Sequence, residues 1–308
     1  MTDDPRLLPV IQSETGSREP PIFDKVAIVG LGLIGGSIAL AVRQHWPTSL
    51  VIAVDRKDVL EHAMVRHAID VAADDPVVMA EADLVILAAP VEQNIEQLAD
   101  LDRHVTAPAV VTDVGSTKRT TVAAARQLPS RFTFIGGHPL GGAPRGGLAY
   151  ARADLFVDRP WIFTPDGTQP AAVLEKLNAF VSTLGARPHI LTPEQHDRLL
   201  AFVSHLPQLS ASALMHVVGE AAGEEGLRLT GRGLFDATRL SSSPPDIWRD
   251  ICRSNRDMVA EALDLFIGEL RTLRENLATG EELDRIFASA GEWRARLAKV
   301  RPKRERQP

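Results

Sequence analysis

The segment from Lys25 to Ser37 reads K-V-A-I-V-G-L-G-L-I-G-G-S, an apolar run followed by closely spaced glycines. The run predicts a buried strand, and the glycines have the G-x-G-x-x-G spacing of a turn that binds dinucleotides. In such a turn Gly30 permits the tight bend, Gly32 lets a pyrophosphate approach the backbone, and Gly35 lets the following helix pack against the strand. The N-terminus of that helix offers unpaired N–H groups to the phosphates. The segment therefore predicts the start of a Rossmann-type domain.

A carboxylate at the end of the next apolar run indicates which dinucleotide is bound. Asp55 follows the run Leu50–Val54, where it is expected to bind the hydroxyls of the adenosine ribose. Because a carboxylate there repels the 2′-phosphate of NADP, NAD is the expected cofactor, while the neighbouring Arg56 keeps NADP as the alternative. The residues expected to contact the cofactor are Gly30, Leu31, Gly32, Leu33, Ile34, Gly35, Asp55, Arg56, Ala89, Pro90 and Ser116.

The first half of the chain alternates apolar runs with helical patterns. Most of the runs are continuously apolar, which is typical of parallel strands buried on both faces. The predicted strands are Lys25–Val29, Leu50–Val54, Leu84–Ala88, Val110–Asp113, Phe132–Ile135, Trp161–Thr164 and Pro188–Leu191. The predicted helices between them are Gly36–Trp46, Val59–His67, Thr117–Gln127 and Ala171–Leu184. This alternation predicts an α/β fold with a doubly wound parallel sheet, and a dinucleotide-binding domain over residues 22–191.

The strand patterns stop after Thr192, and residues 192–300 are expected to form an all-α domain for substrate binding and dimerisation. Long helices are predicted at Glu194–Glu225, Asp246–Ala278 and Glu281–Lys299. So few helices leave an apolar stripe uncovered, and a homodimer through these helices would bury it. Residues 1–21 are polar and are expected to be a disordered leader, and residues 301–308 are expected to be a basic tail.

Composition restricts the partners and the compartment. The 308 residues include 34 basic and 40 acidic ones, so the net charge is −6. Because a nucleic-acid binder is normally basic, we expect a small-molecule substrate and no nucleic-acid partner. The longest uncharged stretch, Val26–Val42, contains four glycines and divides into a strand and a helix, so no membrane helix is expected. The single cysteine, Cys252, suits a reducing cytoplasm, and no metal site is predicted.

Two further motifs follow predicted strands. The first is T-D-V-G-S-T-K, which contains Ser116, and the second is G-G-H-P-L-G-G, which contains His138. Ligands of a doubly wound sheet bind beyond the carboxyl ends of its strands, so both side chains are expected in the crevice that holds the dinucleotide. A neutral His138 can accept a proton near working pH, and both residues are candidate catalytic groups. The structural alternatives are a helix cap for Ser116 and a turn cap for His138.

A third motif, H-D-x6-S-H-L-P-Q, lies in the helical half and ends at Gln208. Pro207 removes one helical hydrogen bond and clashes with the carbonyl four residues earlier. A kink is therefore expected that turns Ser204, His205 and Gln208 toward the sheet. Further along, Arg239 follows a glycine-rich loop, and its planar guanidinium can bind a carboxylate through two hydrogen bonds.

Together these motifs, with T-R-L and W-R-D-I after residue 237, resemble the prephenate/arogenate dehydrogenase family of tyrosine biosynthesis. The resemblance runs from about Val26 to Asn255. It implies a Rossmann domain joined to a helical dimerisation domain, and an oxidative decarboxylation of a cyclohexadienyl acid. By the same resemblance His138 and Ser116 would contact the ring hydroxyl. The substrate's acidic groups would be held by Arg239, Ser204, His205 and Gln208.

The chemistry of this family is consistent with these residue types. Hydride leaves the ring carbon C4 for the nicotinamide, the C4 hydroxyl loses its proton, carbon dioxide departs and the ring becomes aromatic. The implied reaction is the NAD-dependent conversion of prephenate to 4-hydroxyphenylpyruvate. Many members have a histidine where this chain has Gln208, near the side chain that distinguishes prephenate from arogenate. Oxidation of arogenate to tyrosine, or dual specificity, is therefore the alternative.

Two other functions stay open at this point. Dehydrogenases of the β-hydroxyacid or imine-reductase kind also join a Rossmann unit to helices. They normally place a catalytic lysine or tyrosine on the helices, and the only tyrosine here is Tyr150. A non-catalytic NAD-binding regulator would need the cofactor site but not His138, Ser116 or Arg239. Formation of NADH from NAD with prephenate or arogenate distinguishes the three functions.

Overall fold

In the computed structural model the chain is described over residues 20–142 and 145–300. The expected tail at 301–308, and all but the last two residues of the expected leader at 1–21, lie outside this part. The strands are β1 (Lys25–Val29), β2 (Leu50–Val54), β3 (Val71–Ala73), β4 (Leu84–Leu87), β5 (Ala109–Asp113), β6 (Phe132–Pro139), β7 (Pro160–Thr164) and β8 (Arg187–Ile190). They form one 8-stranded sheet in the order β3-β2-β1-β4-β5-β6-β7-β8.

Helices cover both faces of this sheet and form the second half of the chain. They are α1 (Leu33–His45), α2 (Lys57–Val65), α3 (Val91–His104), α4 (Arg119–Ala125), α5 (Ala171–Thr183), α6 (Pro193–Leu200), α7 (Leu206–Arg228), α8 (Arg232–Ala237), α9 (Pro245–Ser254), α10 (Arg256–Glu275) and α11 (Glu281–Val300). Successive side chains of β1 point to opposite faces, as the period of a strand requires. Val26 and Ile28 pack with α1, α2 and α5, whereas Ala27 and Val29 pack with α3 and α4. The predicted doubly wound Rossmann-type architecture with a helical second half is confirmed.

The sheet is mixed rather than wholly parallel, because β7 runs antiparallel to β6. Parallel neighbours need a crossover of a dozen or more residues, usually a helix. Between β6 and β7 the described residues contain only a 3-10 turn at Leu148–Tyr150, so the chain returns beside β6 in the opposite direction. The expectation of parallel strands throughout is therefore wrong at this one pairing.

The first long helix of the second half is interrupted before Pro207. Helix α6 begins with a capping box, in which Thr192 and Gln195 each satisfy the other's backbone N–H. It is followed by one wide π-helical turn, Ala201–His205, and only then by α7, with Pro207 at its start. Since Pro207 has no N–H to donate, the preceding turn adopts a different hydrogen-bond pattern. The helix is thus interrupted where a kink was expected, by a π-helical turn that ends two residues before Pro207.

The second long helix is divided at Asn255, where a single helix was expected. The backbone of Asn255 has φ −124 and ψ 34, which is not helical. Its fully buried amide donates to the carbonyl of Asp197 at 2.8 Å, and its Oδ1 accepts from Arg119 at 3.0 Å. The break between α9 and α10 therefore holds together the two halves of the chain.

The helical half has little core of its own. Its cluster of buried apolar residues consists of Ala201, Val259 and Ala262. Helix α11 buries none of its residues, and Phe287 and Trp293 on it are 67% and 64% exposed. Within the described ranges, no helix combines the length and the apolar character that crossing a bilayer requires.

Candidate active site

The three glycines of the β1–α1 turn have different surroundings. Gly30 has φ +95, and a Cβ on it would lie 2.8 Å from the backbone of Ala88, so only glycine fits there. A Cβ on Gly35 would lie 1.9 Å from the carbonyl oxygen of Gly30, because α1 starts directly against the turn. A Cβ on Gly32 would meet nothing within 4 Å. Gly30 and Gly35 therefore shape the turn, and Gly32 faces open space from which a pyrophosphate can approach the start of α1.

Asp55 is oriented by the same turn. Its Oδ2 accepts from the backbone N–H of Leu31 at 2.6 Å, and its Oδ1 accepts from that of Arg56 at 2.6 Å. An ionised carboxylate has further lone pairs, so it can still bind ribose hydroxyls. The Leu31 side chain is fully buried, whereas those of Leu33 and Ile34 are half-buried. Leu31 can therefore contact a cofactor only through its backbone.

The remaining cofactor candidates lie beside this turn. The side chain of Arg56 is exposed and lies 3.5 Å from Asp58. The N–H of Ala89 donates to Asn94 at 3.1 Å, and Pro90 precedes the first residue of α3. These contacts fix the backbone that follows β4 at a position next to Gly30.

Four neighbouring strands bring the candidate residues to one edge of the sheet. β1, β4, β5 and β6 are adjacent and parallel, so their carboxyl ends lie together. These ends carry Gly30, Pro90, Ser116 and His138. Ser116 is half-buried and makes no hydrogen bond to any other described residue, and the residue that caps α4 is Lys118. The helix-cap alternative for Ser116 is therefore wrong, and its hydroxyl is free for a ligand.

His138 lies in a chain of polar groups that crosses from the sheet to the helical half. Its Nδ1 is 2.9 Å from Nε2 of His196, and Nδ1 of His196 is 2.8 Å from Oδ1 of Asp197. His196 and Asp197 are fully buried. Burial lowers the pKa of His138 well below its ordinary value, and the charges of His196, Lys118 and His205 lower it further. His138 is therefore neutral near pH 7.

A buried ion pair fixes the backbone next to both catalytic candidates. Lys118 contacts Asp113, and its Nζ donates to the carbonyl of Gly137 at 2.7 Å. Asp113 accepts from the N–H of Gly137 at 3.2 Å and from that of Gly115 at 2.9 Å. Gly115 precedes Ser116 and Gly137 precedes His138, so the pair sets the position of each. Burial lowers the pKa of Lys118 although Asp113 opposes the shift.

His205 comes to the same region from the π-helical turn. It is 1% exposed, its Nδ1 is 3.4 Å from the amide nitrogen of Asn255, and its ring meets Trp248 edge-on. Burial lowers the pKa of His205 to about 4, so this ring too is neutral. Because an amide nitrogen can only donate, Nδ1 of His205 is the acceptor and its Nε2 carries the proton. Ser204 beside it is half-buried and has no hydrogen-bond partner among the described residues.

Gln208 braces the turn that carries Arg239. Its Nε2 donates to the carbonyl of Leu240 at 2.8 Å, and its Oε1 accepts from Ser243 at 3.1 Å. The sequence predicts that Gln208 contacts the substrate, and in the structure both ends of its amide also hold this turn. Arg239 itself is exposed and makes neither a hydrogen bond nor an ion pair within the described ranges. Its guanidinium is therefore available to an anion.

Four residues at the site are not predicted from the sequence: Lys118, His196, Asp197 and Asn255. Three of them lie in motifs quoted for other residues. In the sequence, the one indication of a role for these three is that they are ionisable residues within those motifs. Each contact joins two residues that are 58 or more positions apart in the sequence: His138–His196, Asp197–Asn255 and Lys118–Asp197. Only the fold could therefore identify these contacts.

Comparison with known proteins places both halves in one family. The family model described as prephenate dehydrogenase, nucleotide-binding domain, matches residues 38–191, and the model described as prephenate dehydrogenase, dimerization domain, matches residues 192–289. The prephenate dehydrogenase of Bacillus subtilis is 36% identical over 279 residues, which are 88% of this chain and 75% of that protein.

Two solved structures have the same fold over nearly their whole length. The prephenate dehydrogenase of Aquifex aeolicus, in complex with hydroxyphenyl propionate and NAD+, is 29% identical with a TM-score of 0.83, over 89% of this chain and 98% of that one. The arogenate dehydrogenase of Synechocystis is 29% identical with a TM-score of 0.77, over 89% of this chain and 99% of that one.

Proposed function

The chain belongs to the prephenate dehydrogenase family and is an NAD-dependent oxidoreductase, and we propose that it converts prephenate to 4-hydroxyphenylpyruvate and carbon dioxide. The observation that carries this proposal is the position of His138. This neutral imidazole lies on the same sheet edge as the dinucleotide turn, on the strand next to the one that Ser116 follows. A base at that place can act on a substrate held against the cofactor.

NAD, when bound, supplies the acceptor for the hydride that leaves ring carbon C4. His138 accepts the proton of the C4 hydroxyl as the carbonyl forms. When the ring carboxylate leaves as carbon dioxide, its bonding electrons enter the ring, and His138 returns the proton to the resulting phenolate. The imidazole ends as it began, and atoms and charges balance. A neutral base also selects oxidation over dehydration, because dehydration requires an acid that protonates the same hydroxyl.

In this proposal one neutral side chain, Ser116, and one cationic side chain, Arg239, hold the substrate. Ser116 hydrogen-bonds the C4 hydroxyl, since its own hydroxyl has no other partner among the described residues. Arg239 binds a carboxylate, because it offers a planar pair of donors and no acidic side chain of the described part occupies them. A substrate with two carboxylates needs such a local cation in a protein whose net charge is −6.

Arogenate is the alternative substrate, and one contact favours it. Arogenate carries an ammonium where prephenate carries a keto oxygen. Oε1 of Gln208 accepts one hydrogen bond in the described structure, from Ser243, and a carbonyl oxygen can accept two. The free lone pair suits an ammonium donor.

We extend the proposal to a cytoplasmic homodimer. The exposed apolar residues of α10 and α11 form a surface that a second copy can cover, and the matched domain is described as a dimerization domain. The free thiol of Cys252 suits a reducing compartment. Light scattering coupled to size exclusion should give about twice the 33.4 kDa of the chain, and a particle of 33.4 kDa would contradict the dimer.

The enzymatic proposal is tested by NADH formation from NAD with prephenate and with arogenate, with the aromatic product identified by chromatography. The His138→Asn variant should lose about 10²- to 10⁴-fold in kcat, because it lacks the proton acceptor. The matched control is His189→Asn, which changes an exposed histidine of β8. No turnover of either substrate by the unmodified protein rejects the function, and wild-type turnover by His138→Asn removes His138 from the mechanism.

A further inference from the structure

Two buried residues outside the substrate-binding set connect His138 to the helical half. His196 and Asp197 are adjacent on α6, and His138 is on β6. The ring of His196 lies between the other two groups, at 2.9 Å from His138 and 2.8 Å from Asp197. A carboxylate, an imidazole and a second imidazole thus form a continuous hydrogen-bonded row.

The hydrogen bonds around Asp197 determine which atoms in this row carry protons. Oδ1 of Asp197 accepts from the backbone N–H of Lys118 at 2.7 Å. Oδ2 accepts from the backbone N–H of Arg119 at 3.0 Å and from its Nε at 3.3 Å. Burial raises the pKa of Asp197, but the hydrogen bonds from His196 and from these two backbone groups outweigh it and lower the pKa overall. Asp197 is an ionised acceptor, and Nδ1 of His196 must be the donor to it.

The proton on Nδ1 of His196 sets the rest of the row. Burial lowers the pKa of His196, and although the hydrogen bond to Asp197 opposes this shift the ring stays neutral. A neutral imidazole with its proton on Nδ1 has a lone pair on Nε2. Nε2 of His196 therefore accepts, and Nδ1 of His138 is the donor to it. The lone pair of His138 is then on Nε2, which has no other partner among the described residues.

We propose that His196 and Asp197 are positioning residues that hold His138 in the tautomer protonated on Nδ1, so that Nε2 is the base. The inference rests on the proposed function only for what Nε2 does, because the tautomer itself is a property of the protein. When Nε2 takes the substrate proton, the imidazolium formed still donates to His196, which in turn donates to the carboxylate of Asp197. When the proton returns to the phenolate, the row returns to its starting state.

Because the row crosses from the sheet to the helical half, the tautomer of His138 also depends on how these two halves contact each other. His138 belongs to the sheet, whereas His196 and Asp197 open the helical half. Asp197 reaches back to the first residues of α4 through Lys118 and Arg119. Since Asn255 binds Arg119 and the carbonyl of Asp197, the α9–α10 break supports the same junction.

A merely structural role for these residues predicts a different result from a positioning role. If the row only satisfies buried polar groups, its loss lowers stability and leaves kcat of the folded enzyme unchanged. If it sets the tautomer, His196→Leu lowers kcat by about 10²- to 10³-fold with little change in KM, because a misoriented imidazole is a poor base. His196→Gln offers a carbonyl acceptor near the position of Nε2, and should recover a substantial part of that loss.

The experiment combines nitrogen-15 spectra of histidine-labelled full-length protein with steady-state kinetics. These spectra distinguish protonated from unprotonated ring nitrogens, and the signals of His138 are those that disappear in His138→Asn. They should show the proton of His138 on Nδ1. That proton should lose its fixed position in His196→Leu. His189→Leu is the matched histidine control.

Each outcome decides the matter. A proton on Nε2 of His138 in the unmodified protein overturns the proposal, as does a His196→Leu enzyme whose kcat falls no further than that of His189→Leu. If His196→Leu does not fold, the tautomer of the unmodified protein and the kinetics of His196→Gln still decide. If neither cyclohexadienyl substrate is turned over, the function fails while the spectra still test the row.

Discussion

Two alanine substitutions in the β1–α1 turn should have opposite effects on stability and cofactor binding. In Gly35→Ala the new Cβ lies 1.9 Å from the carbonyl oxygen of Gly30, so α1 must move by about 1 Å to restore ordinary contact. Overpacking of backbone against backbone costs about 3 kcal/mol, which lowers Tm by roughly 6–12 °C for a domain of this size. In Gly32→Ala the Cβ meets nothing within 4 Å, and Tm should stay within about 2 °C of the unmodified protein.

The same two variants should differ in how they bind NAD. The methyl group of Gly32→Ala occupies the side from which the pyrophosphate approaches, and the loss of a charge-assisted contact of about 1.5–3 kcal/mol raises Kd by roughly 10- to 150-fold. Thermal unfolding without cofactor and calorimetric titration with NAD measure the two effects separately. Wild-type affinity in Gly32→Ala would refute the position given to the pyrophosphate. A wild-type Tm in Gly35→Ala would refute the packing argument.

Three further predictions concern charge. Arg239→Ala should raise KM by roughly 10- to 150-fold with a smaller effect on kcat, since it removes a charge-assisted contact; the exposed Arg103→Ala is the control, and an unchanged KM contradicts the assignment. The acid limb of kcat/KM should lie below pH 6.5, because the pKa of His138 is lowered well below that value and the base is lost only when it is protonated; a midpoint above pH 6.5 would exclude His138 as the base. His205 takes up its proton near pH 6.5 in the unfolded chain but only near pH 4 in the folded chain. The contribution of neutral His205 to the free energy of unfolding is therefore fully present above pH 6.5, and it falls by about 3 kcal/mol as the pH drops to about 4. Urea titrations across this range should show a shallower decline in His205→Asn, and an equal decline would mean that the ring is not buried in its neutral form.

The strands were predictable because burial on both faces produces a continuous apolar run. β1 and β2 have the predicted bounds, Lys25–Val29 and Leu50–Val54. β3 was missed because it is a short edge strand of 3 residues with no fully buried side chain. Helix α3 was missed although a signal existed: Val91, Leu98 and Leu101 are buried at helical spacing within an otherwise polar segment.

The site residues that could be predicted are those whose place in the fold follows from their position along the chain. The end of a strand or a glycine-rich turn is visible in the sequence, and this located the cofactor turn, Ser116 and His138. Tertiary contacts leave no such pattern. The break at Asn255 interrupts a helical pattern that continues through it, because a buried contact with Asp197 and Arg119 outweighs local helical preference.

The charges around the candidate active site give Gln208 a second route to substrate choice, beside the direct contact with an ammonium proposed above. Lys118 is paired with Asp113, Arg119 is paired with Asp197 and Asp257, and the pKa shifts keep the buried histidines neutral. Of the three cations Lys118, Arg119 and Arg239, only Arg239 has no acidic partner within the described ranges, so in the proposed function it supplies the attraction for a carboxylate of the substrate. Its place is set by the turn that Gln208 holds through Leu240 and Ser243. A histidine at position 208 has a different donor geometry and would hold that turn differently. In the proposed function, residue 208 therefore acts on the substrate carboxylate through the position of the Arg239 guanidinium.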